Sequence, residues 1–262
     1  MSASALQVAR TGLEAQDTRM QVIANNLANV NTTAFKRDRA NFATLAYQDA
    51  RVAGQQSSNQ SNYATGLNLG TGVQVQSTTQ IAEQGSLTTT GNTYDLAIQG
   101  EGFFQVTMPS GQTAYTRAGN FTLSSQGQLV TSDGYPVVPN ITIPQGSTSV
   151  TIGTDGTVSA IPAGSTAATQ VGQLTLATFA NPSALQALSG NYVQETGASG
   201  TPQVVTAGTT GAGTISQGML EGSNVNIVQE LVDMIECQRA YEINSKMISS
   251  VDDMLKNANQ TI

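Results

Sequence analysis

The sequence predicts an α+β fold in which long N- and C-terminal helices form a coiled-coil-like domain and an all-β domain is inserted between them. Apolar residues recur every seven positions near both ends, the middle alternates in short runs, and polar stretches separate the two patterns. We expect a terminal helical domain of residues 1–45 with 222–262, a connector region of 46–92 with 190–221, and a β-rich outer domain of 93–189. The connectors are expected to be extended and polar.

The first helix is predicted over residues 3 to about 30. Its apolar row combines four residues spaced seven apart with two that follow three positions later: Leu6, Leu13, Met20, Leu27, Ile23 and Val30. Asparagines crowd the last turns. Because asparagine amides compete for backbone hydrogen bonds, the helix should end near residues 29–33.

The second helix is predicted from about residue 225 to 259, with Ser223 and Asn224 as its candidate cap. Its apolar row has the same spacing of seven: Ile227, Met234, Tyr241, Ile248 and Leu255. An apolar row on one helix needs a partner, and the sequence leaves open whether the two rows pair within one chain or between chains. The one cysteine, Cys237, follows Met234 by three residues, which places it at a d position of the same seam, and it is expected to be a buried thiol.

The middle of the chain predicts β structure. Residues 48–66 are rich in Gln, Ser and Asn and are expected to form a linker or an exposed loop. From Gly70 onward, short alternating runs separated by glycine turns predict strands, the last clear one at residues 171–179. Gly100-Glu101-Gly102 lacks the third glycine of a dinucleotide fingerprint and is expected to be a tight turn that enters a strand.

The composition excludes several classes of protein. The 262 residues are only 10% charged, contain no His and no Trp, and carry a formal net charge of −7, which argues against nucleic-acid binding. The one basic cluster, Lys36, Arg37 and Arg39, is interpreted as a solvated helix end. No apolar run is long enough to span a membrane, and the N-terminus lacks the pattern of a cleaved signal peptide.

The residues predict no catalytic, cofactor or metal site. Without histidine the usual triads are absent, and one cysteine cannot build a cysteine-rich metal site. One alternative stays open, a secreted β-rich carbohydrate-active enzyme that uses two carboxylates. Its only candidates are Asp95, Glu101 and Asp133, and nothing in the sequence brings them together.

Several motifs resemble, in order, those of the flagellar rod and hook family of bacteria. They lie at residues 24–37, 98–106, 115–121 with 127–130, 221–226 and 238–246, so the resemblance covers nearly the whole chain. The motif residues carried over from the family are Asn25, Asn26, Asn29, Asn31, Phe35, Gly100, Gly102, Phe103, Phe104, Gln238, Arg239 and Tyr241. Ala34 stands where the family commonly has glycine, which argues against a left-handed backbone there.

The resemblance implies a structural protein and not an enzyme. The chain is most like the branch that forms the distal rod, a hollow helical drive shaft, with the hook or a proximal rod subunit as the alternative. The implied partners are copies of the chain itself, proximal rod proteins, the hook protein, the periplasmic and outer-membrane ring proteins and the flagellar export apparatus. The implied location is the basal body, in the periplasm and through the outer-membrane ring. Residues 46–65 resemble the stretch that the family associates with rod rigidity.

Overall fold

The computed structural model describes residues 2–58, 61–165, 167–209 and 211–260. Two α-helices, α1 (Ser2–Ala28) and α2 (Ile227–Gln260), lie near the ends of this part of the chain. The chain divides into two compact units. The first, called the helix–ribbon unit, comprises Met1–Ala28, Asp38–Thr79 and Asn226–Ile262; the second, called the β unit, comprises Asn29–Arg37 and Gln80–Val225.

Helix α2 begins one residue after its cap. The side-chain oxygen of Asn226 accepts hydrogen bonds from the backbone N–H groups of Val228 (3.1 Å) and Gln229 (3.4 Å), which leaves two first-turn donors satisfied. The expected cap at Ser223 and Asn224 was therefore wrong by two to three positions. At 34 residues, α2 is about 50 Å long at the helical rise.

The strands of the helix–ribbon unit form a nested hairpin, called the ribbon. Its six strands in chain order are β1 (Asp38–Thr44), β2 (Tyr47–Arg51), β3 (Gln56–Ser58), β4 (Ser61–Asn62), β5 (Leu67–Gly70) and β6 (Val73–Gln80). Strand β1 pairs with β6, β2 with β5 and β3 with β4. The ribbon approaches α1 closely at Gly72, where a Cβ atom would overlap the hydroxyl of Thr11.

The β unit contains sixteen further strands among the described residues. They are β7 (Leu87–Thr89), β8 (Leu96–Gln99), β9 (Phe104–Thr107), β10 (Thr113–Thr116), β11 (Thr122–Leu123), β12 (Leu129–Val130), β13 (Val137–Val138), β14 (Ser149–Ile152), β15 (Thr157–Ile161), β16 (Thr169–Gln173), β17 (Thr175–Thr178), β18 (Gln186–Ala187), β19 (Tyr192–Gln194), β20 (Gln203–Thr206), β21 (Thr214–Gln217) and β22 (Met219–Glu221). Two 3-10 turns, Pro182–Ala184 and Ser189–Asn191, flank β18.

These strands assemble into small sheets around a large apolar cluster and a smaller one. The largest sheet has the order β13-β9-β10-β19-β18, and β14-β15-β16 form a second; the remaining strands pair as β8 with β21, β7 with β22, β11 with β12 and β17 with β20. Phe104 and Phe121 meet edge to face at the centre, with ring centroids 5.1 Å apart. Leu96, Leu174 and Ile215 pack in the same core and are fully buried.

The expected fold class was wrong. Between its two helices the described chain forms nine sheets of two to five strands, rather than one inserted all-β domain joined by extended connectors. The polar stretch expected as a linker is the ribbon, and the second polar stretch carries β19 to β22. Both faces of the ribbon between residues 47 and 56 are largely exposed, so its strands lack the apolar alternation by which a half-buried strand is recognised. The predicted domain limits stay a prediction.

Candidate assembly site

The buried row of α2 lies beside the row predicted from the sequence. Glu230, Cys237 and Val251 are buried and Asn244 is half-buried, and these four residues are spaced by seven. Of the predicted row, Met234 and Ile248 are half-buried, Ile227 and Tyr241 are 46% and 42% exposed, and the side chain of Leu255 lies outside the described part. The contact between helices within one chain therefore uses mainly polar or small residues of α2.

The buried apolar residues of α1 are Ala9, Ala15 and Ile23. Ile23 belongs to the row predicted from the sequence, whereas the row residues Leu6, Leu13, Met20 and Leu27 are half-buried. A Cβ atom at Gly12 would lie 3.1 Å from the side-chain nitrogen of Asn244, so the two helices approach closely there. Val30, the last residue of the predicted row, is half-buried in the β unit.

Cys237 is held against the backbone of α1. Its Sγ lies 3.1 Å from the carbonyl oxygen of Gln16, and burial raises the pKa of the Cys237 thiol. The expectation of a buried thiol is confirmed. An ion pair between Arg19 and Asp233, 3.6 Å apart and partly exposed, lies near the same contact and contributes little to stability.

Asn26 joins α1 to the first strand of the ribbon. Its side chain accepts a hydrogen bond from the backbone N–H of Asp38 (2.9 Å) and donates one to the backbone carbonyl of the same residue (2.9 Å). Its amide nitrogen also lies 3.3 Å from a carboxylate oxygen of Glu230, and both side chains are buried. A residue predicted to weaken the helix end therefore anchors that end to β1.

Large apolar side chains are exposed along α2, most densely in its first three turns. Its exposed large apolar residues are Ile227, Val228, Leu231, Val232, Ile235, Tyr241, Ile243, Met247 and Met254. Val228 is 71% exposed and Ile235 is 51% exposed. Exposed apolar side chains clustered in this way mark an interaction site. No helix among the described residues is long and apolar enough to cross a membrane.

The β unit contains a buried ionic cluster, called the Glu221 cluster, made of Lys36, Arg117 and Glu221. One carboxylate oxygen of Glu221 accepts hydrogen bonds from the Lys36 ammonium and from the backbone N–H of Gly85 (3.0 Å). The other accepts from Nε of Arg117 (2.9 Å). The side chains of Lys36, Arg117 and Glu221 are 8%, 7% and 0% exposed, so this carboxylate bridges two cations out of contact with water.

Backbone carbonyls complete the solvation of the two cations. The ammonium of Lys36 donates to the carbonyl of Glu83 (2.7 Å). The guanidinium of Arg117 donates to three carbonyls, those of Ile98, Gly100 and Gly102. Burial alone would raise the pKa of Glu221, but the charges of Arg117 and Lys36 together hold the pKa of this carboxyl below its usual value.

The interpretation of Lys36 as part of a solvated helix end was wrong, because its side chain is buried in the Glu221 cluster. The segment that carries it is fixed by residues near Glu221: the N–H of Ala34 donates to the carbonyl of Glu221 (2.8 Å), and the N–H of Arg37 donates to the side chain of Asn224 (2.7 Å). Ala34 adopts φ = 57°, so the expectation against a left-handed backbone at this residue was also wrong.

The motif residues are distributed over both units. Gly100 and Gly102 have positive φ and turn the chain into β9, as the sequence predicted. Phe103 and Phe104 follow in two neighbouring clusters of apolar side chains. The rest are exposed or half-buried, with the exception of Asn26: Asn25, Asn29, Asn31, Phe35, Gln238, Arg239 and Tyr241.

Sequence reasoning missed the role of Arg117 and Glu221. Both lie inside motifs that carry the family resemblance, Tyr115–Phe121 and Glu221–Asn226, but neither residue was predicted to be buried or to form an ion pair. The available signal was charge. In a chain that is 10% charged, an arginine and a glutamate next to glycine turns and apolar strands are candidates for a buried pair.

A polar cleft of about 400 Å³ lies beside residues 29–33 in the β unit. Its lining includes Asp133, whose carboxylate accepts a hydrogen bond from the hydroxyl of Tyr192 (2.8 Å). Burial and this carboxylate raise the pKa of Tyr192 to about 12. Asp95, another candidate acid, accepts from Thr90 (2.6 Å) in a separate local network. Among the described residues, no group of three or more His, Cys, Asp or Glu side chains could hold a metal ion.

Comparison with known proteins assigns the family. Three family models match: "Flagella basal body rod protein" at residues 6–36, "Flagellar hook protein FlgE/F/G D1 domain" at 97–160, and "Flagellar basal body rod FlgEFG protein C-terminal" at 216–261. A flagellar basal-body rod protein FlgG of Buchnera aphidicola subsp. Acyrthosiphon pisum (strain APS) is 50% identical over 255 residues, which cover 97% of this chain and 98% of the relative.

Two relatives from a single organism separate the branches of the family. The flagellar basal-body rod protein FlgG of Caulobacter vibrioides (strain ATCC 19089 / CIP 103742 / CB 15) is 47% identical over 98% of this chain and 98% of its own. The flagellar basal-body rod protein FlgF of the same strain is 36% identical over 91% of this chain and 89% of its own. The chain is therefore more similar to the FlgG branch.

The chain belongs to the flagellar basal-body rod protein family. It is a structural component of the flagellar basal body, of the distal rod type.

Proposed function

We propose that the chain polymerises with copies of itself into a hollow helical shaft that transmits torque from the flagellar motor to the hook. The observation that carries this proposal is the exposed apolar surface of α2 in the single subunit. Burial of such side chains contributes about 25 cal/mol for each Å² of apolar surface removed from water, and neighbouring subunits would supply that burial.

The different residues that α2 uses inside the chain and exposes to solvent support polymerisation through this helix. Polar and small residues such as Glu230, Cys237 and Asn244 make the contact inside the chain, which leaves large apolar residues free for contacts between chains. We propose that the apolar rows predicted from the sequence, together with Val228 and Ile235, form the polymerisation interface. A head-to-tail contact that does not close into a ring generates an open helix.

The ribbon is proposed to lock neighbouring subunits and to stiffen the shaft. An isolated two-stranded hairpin is at best marginally stable in water, so a ribbon of this length requires packing against another surface. Tyr47, Val52, Leu67 and Leu69 are exposed on it and supply apolar contacts for such packing. Deletion of residues 46–65 should give softer or curved shafts; straight, rigid shafts after deletion would contradict this role.

The location and partners are proposed from the family. The chain would leave the cell through the flagellar export apparatus, cross the periplasm and pass through the outer-membrane ring. Its proposed partners are the proximal rod proteins, the hook protein and the periplasmic and outer-membrane ring proteins. In the polymer, residues 1–45 with 222–262 would form the inner tube and residues 93–189 the outer layer.

Electron microscopy of the concentrated full-length protein tests polymerisation. The wild type should form straight filaments, and Ile235→Lys should not, because polymerisation would bury an unpaired charge. Ser250→Lys introduces the same charge at an exposed polar position of α2 and is the matched control. Circular dichroism should show that both variants retain the fold of the wild-type monomer, since exposed substitutions usually change stability by less than about 0.5 kcal/mol.

Three outcomes would change the proposal. Filaments from Ile235→Lys as abundant as those of the wild type would remove this surface of α2 from the interface. Curved filaments from the wild type would favour the hook type of assembly. A wild-type chain that stays a monomer at high concentration would favour pairing of the terminal helices within one chain alone.

A further inference from the structure

The Glu221 cluster joins three distant parts of the sequence inside the β unit. Lys36 and Glu221 are 185 residues apart, and Arg117 and Glu221 are 104 residues apart. Glu221 is the last residue of β22, which pairs with β7 so that Glu221 lies opposite Leu87. The cluster is therefore complete only when the strand nearest the end of this unit is in place.

The cluster is also unbalanced without Glu221. Lys36 and Arg117 are both buried cations, and the carboxylate of Glu221 hydrogen-bonds to each of them. A buried ammonium without an anion is strongly disfavoured because it loses its water and gains no compensating charge. Lys36 can therefore enter this site at low cost only after Glu221 has arrived.

Several hydrogen bonds that hold residues 29–37 also require residues 221–224 to be in place. The N–H of Ala34 bonds to the carbonyl of Glu221, the N–H of Arg37 bonds to the side chain of Asn224, and the N–H of Asn224 bonds to the carbonyl of Phe35 (3.3 Å). Other anchors do not involve residues 221–224, among them the bond from the Lys36 ammonium to the carbonyl of Glu83. The side chain of Asn191 donates to the carbonyl of Thr33 (2.8 Å), and the N–H of Ile81 donates to the carbonyl of Arg37 (2.9 Å).

We propose that Glu221 is a positioning residue that makes docking of residues 29–37 on the β unit wait for strand β22. Residues 29–37, which follow α1, and residues 221–224, which precede α2, thereby become ordered together. Residues 29–37 do not dock while β22 is missing from the β unit. This ordering is a property of the single subunit and does not depend on the proposed polymerisation.

Hydrogen–deuterium exchange on dilute, monomeric full-length protein tests the proposal. Glu221→Gln removes the negative charge, and protection of peptides covering residues 29–37 should fall on the order of a hundredfold, because removal of one partner exposes an uncompensated buried charge. Peptides covering β14 and β15, which contain none of the three charged residues, should keep their protection. Glu83→Gln is the matched control. It also removes one negative charge, but from an exposed side chain, and it keeps the backbone carbonyl of residue 83 that accepts from Lys36.

A second variant keeps the test decisive if Glu221→Gln unfolds the whole unit. Lys36→Met leaves the pair between Arg117 and Glu221 intact and removes only the buried cation that residues 29–37 contribute to the cluster. Protection of residues 29–37 should fall at least tenfold in Lys36→Met, with β14 and β15 unchanged. Wild-type protection of residues 29–37 in this variant would overturn the proposal.

The order of events and the role of charge are measured separately. In pulse labelling during refolding of the wild type, residues 29–37 should gain protection no earlier than residues 217–224; earlier protection would show that the Asn191 and Ile81 anchors suffice, and would overturn the proposal. At equilibrium, after correction for intrinsic exchange rates, wild-type protection of residues 29–37 should fall in acid as Glu221 is protonated between Lys36, Arg117 and the N–H of Gly85. In Glu221→Gln this acid dependence should be absent; an unchanged dependence would assign it to another group.

Discussion

Replacement of Ala34 by glycine tests whether the backbone at this residue is strained. Ala34 has φ = 57° and is 6% exposed. A left-handed conformation costs a residue with a Cβ atom about 1–2 kcal/mol, which glycine would recover. Against this, Ala34→Gly loses a buried methyl group, about 0.8 kcal/mol, and gives the unfolded chain more freedom, about 0.4–1 kcal/mol. The two sides nearly cancel, so the free energy of unfolding should change by no more than about 0.8 kcal/mol in either direction.

The control is a buried alanine without positive φ. Ala97 in β8 is fully buried, and Ala97→Gly suffers the same two losses with no strain to relieve, so it should destabilise by about 1–2 kcal/mol. Ala34→Val should destabilise by about 2–4 kcal/mol, because a β-branched residue at positive φ is strained and the site is closely packed.

Urea unfolding followed by tyrosine fluorescence measures these values, since the chain has seven tyrosines and no tryptophan. Dilute protein keeps polymerisation out of the measurement. The difference between the effects of Ala97→Gly and Ala34→Gly gives the strain at Ala34. Equal losses in the two variants would refute the reasoning, because they would mean that the left-handed backbone costs nothing at this position.

Three further predictions follow from the structure. Tyr192 should titrate with a pKa of about 12 in alkaline absorbance spectra, and Tyr192→Phe should remove that transition; because its pKa is raised, its contribution to stability is present near neutral pH and lost as pH rises towards 12. Glu221 has a lowered pKa, so its contribution is present above the unfolded-state pKa of about 4.3 and lost as pH falls through the folded value. Urea unfolding from pH 7 to about pH 3 should show a flatter dependence for Glu221→Gln than for the wild type. Gly12→Ala should raise the free energy of unfolding by about 0.5 kcal/mol, because alanine favours helix and only the flexible end of Asn244 must shift. Gly12→Leu should lower the free energy of unfolding. Destabilisation by alanine in thermal unfolding would mean that Asn244 cannot move.

The sequence predicts the existence of the two terminal helices well. It does not predict which residues make the contact between α1 and α2. Leu6, Leu13 and Met20 repeat every seven residues, and this period correctly predicts α1. It does not say which side of a helix faces its own chain. Within the subunit the buried row of α2 includes Glu230 and Cys237, because a polar group that finds a partner can be buried as well as an apolar one.

The ribbon and the Glu221 cluster were missed for different reasons. The alternation from Gly70 onward indicates β6, but β2 to β5 are backbone pairings with little burial, so their side chains carry no alternating pattern that would indicate strands. The cluster depends on contacts across 185 and 104 residues, which no local pattern encodes. The burial of Lys36 is the clearest case, because its neighbours Arg37 and Arg39 favoured a solvated basic surface.

The nested hairpin has a mechanical consequence. Strands β1 and β6 form one end, called the feet, and the paired strands β3 and β4 form the other, called the tip. A pull between the tip and the feet runs along two covalent backbones and loads the hydrogen bonds very little, whereas a force that separates the feet opens those bonds one after another. If a neighbouring subunit binds the tip, the ribbon resists stretching along its length. Its strand pairing would then survive a load along the strands but not one that pulls β1 and β6 apart.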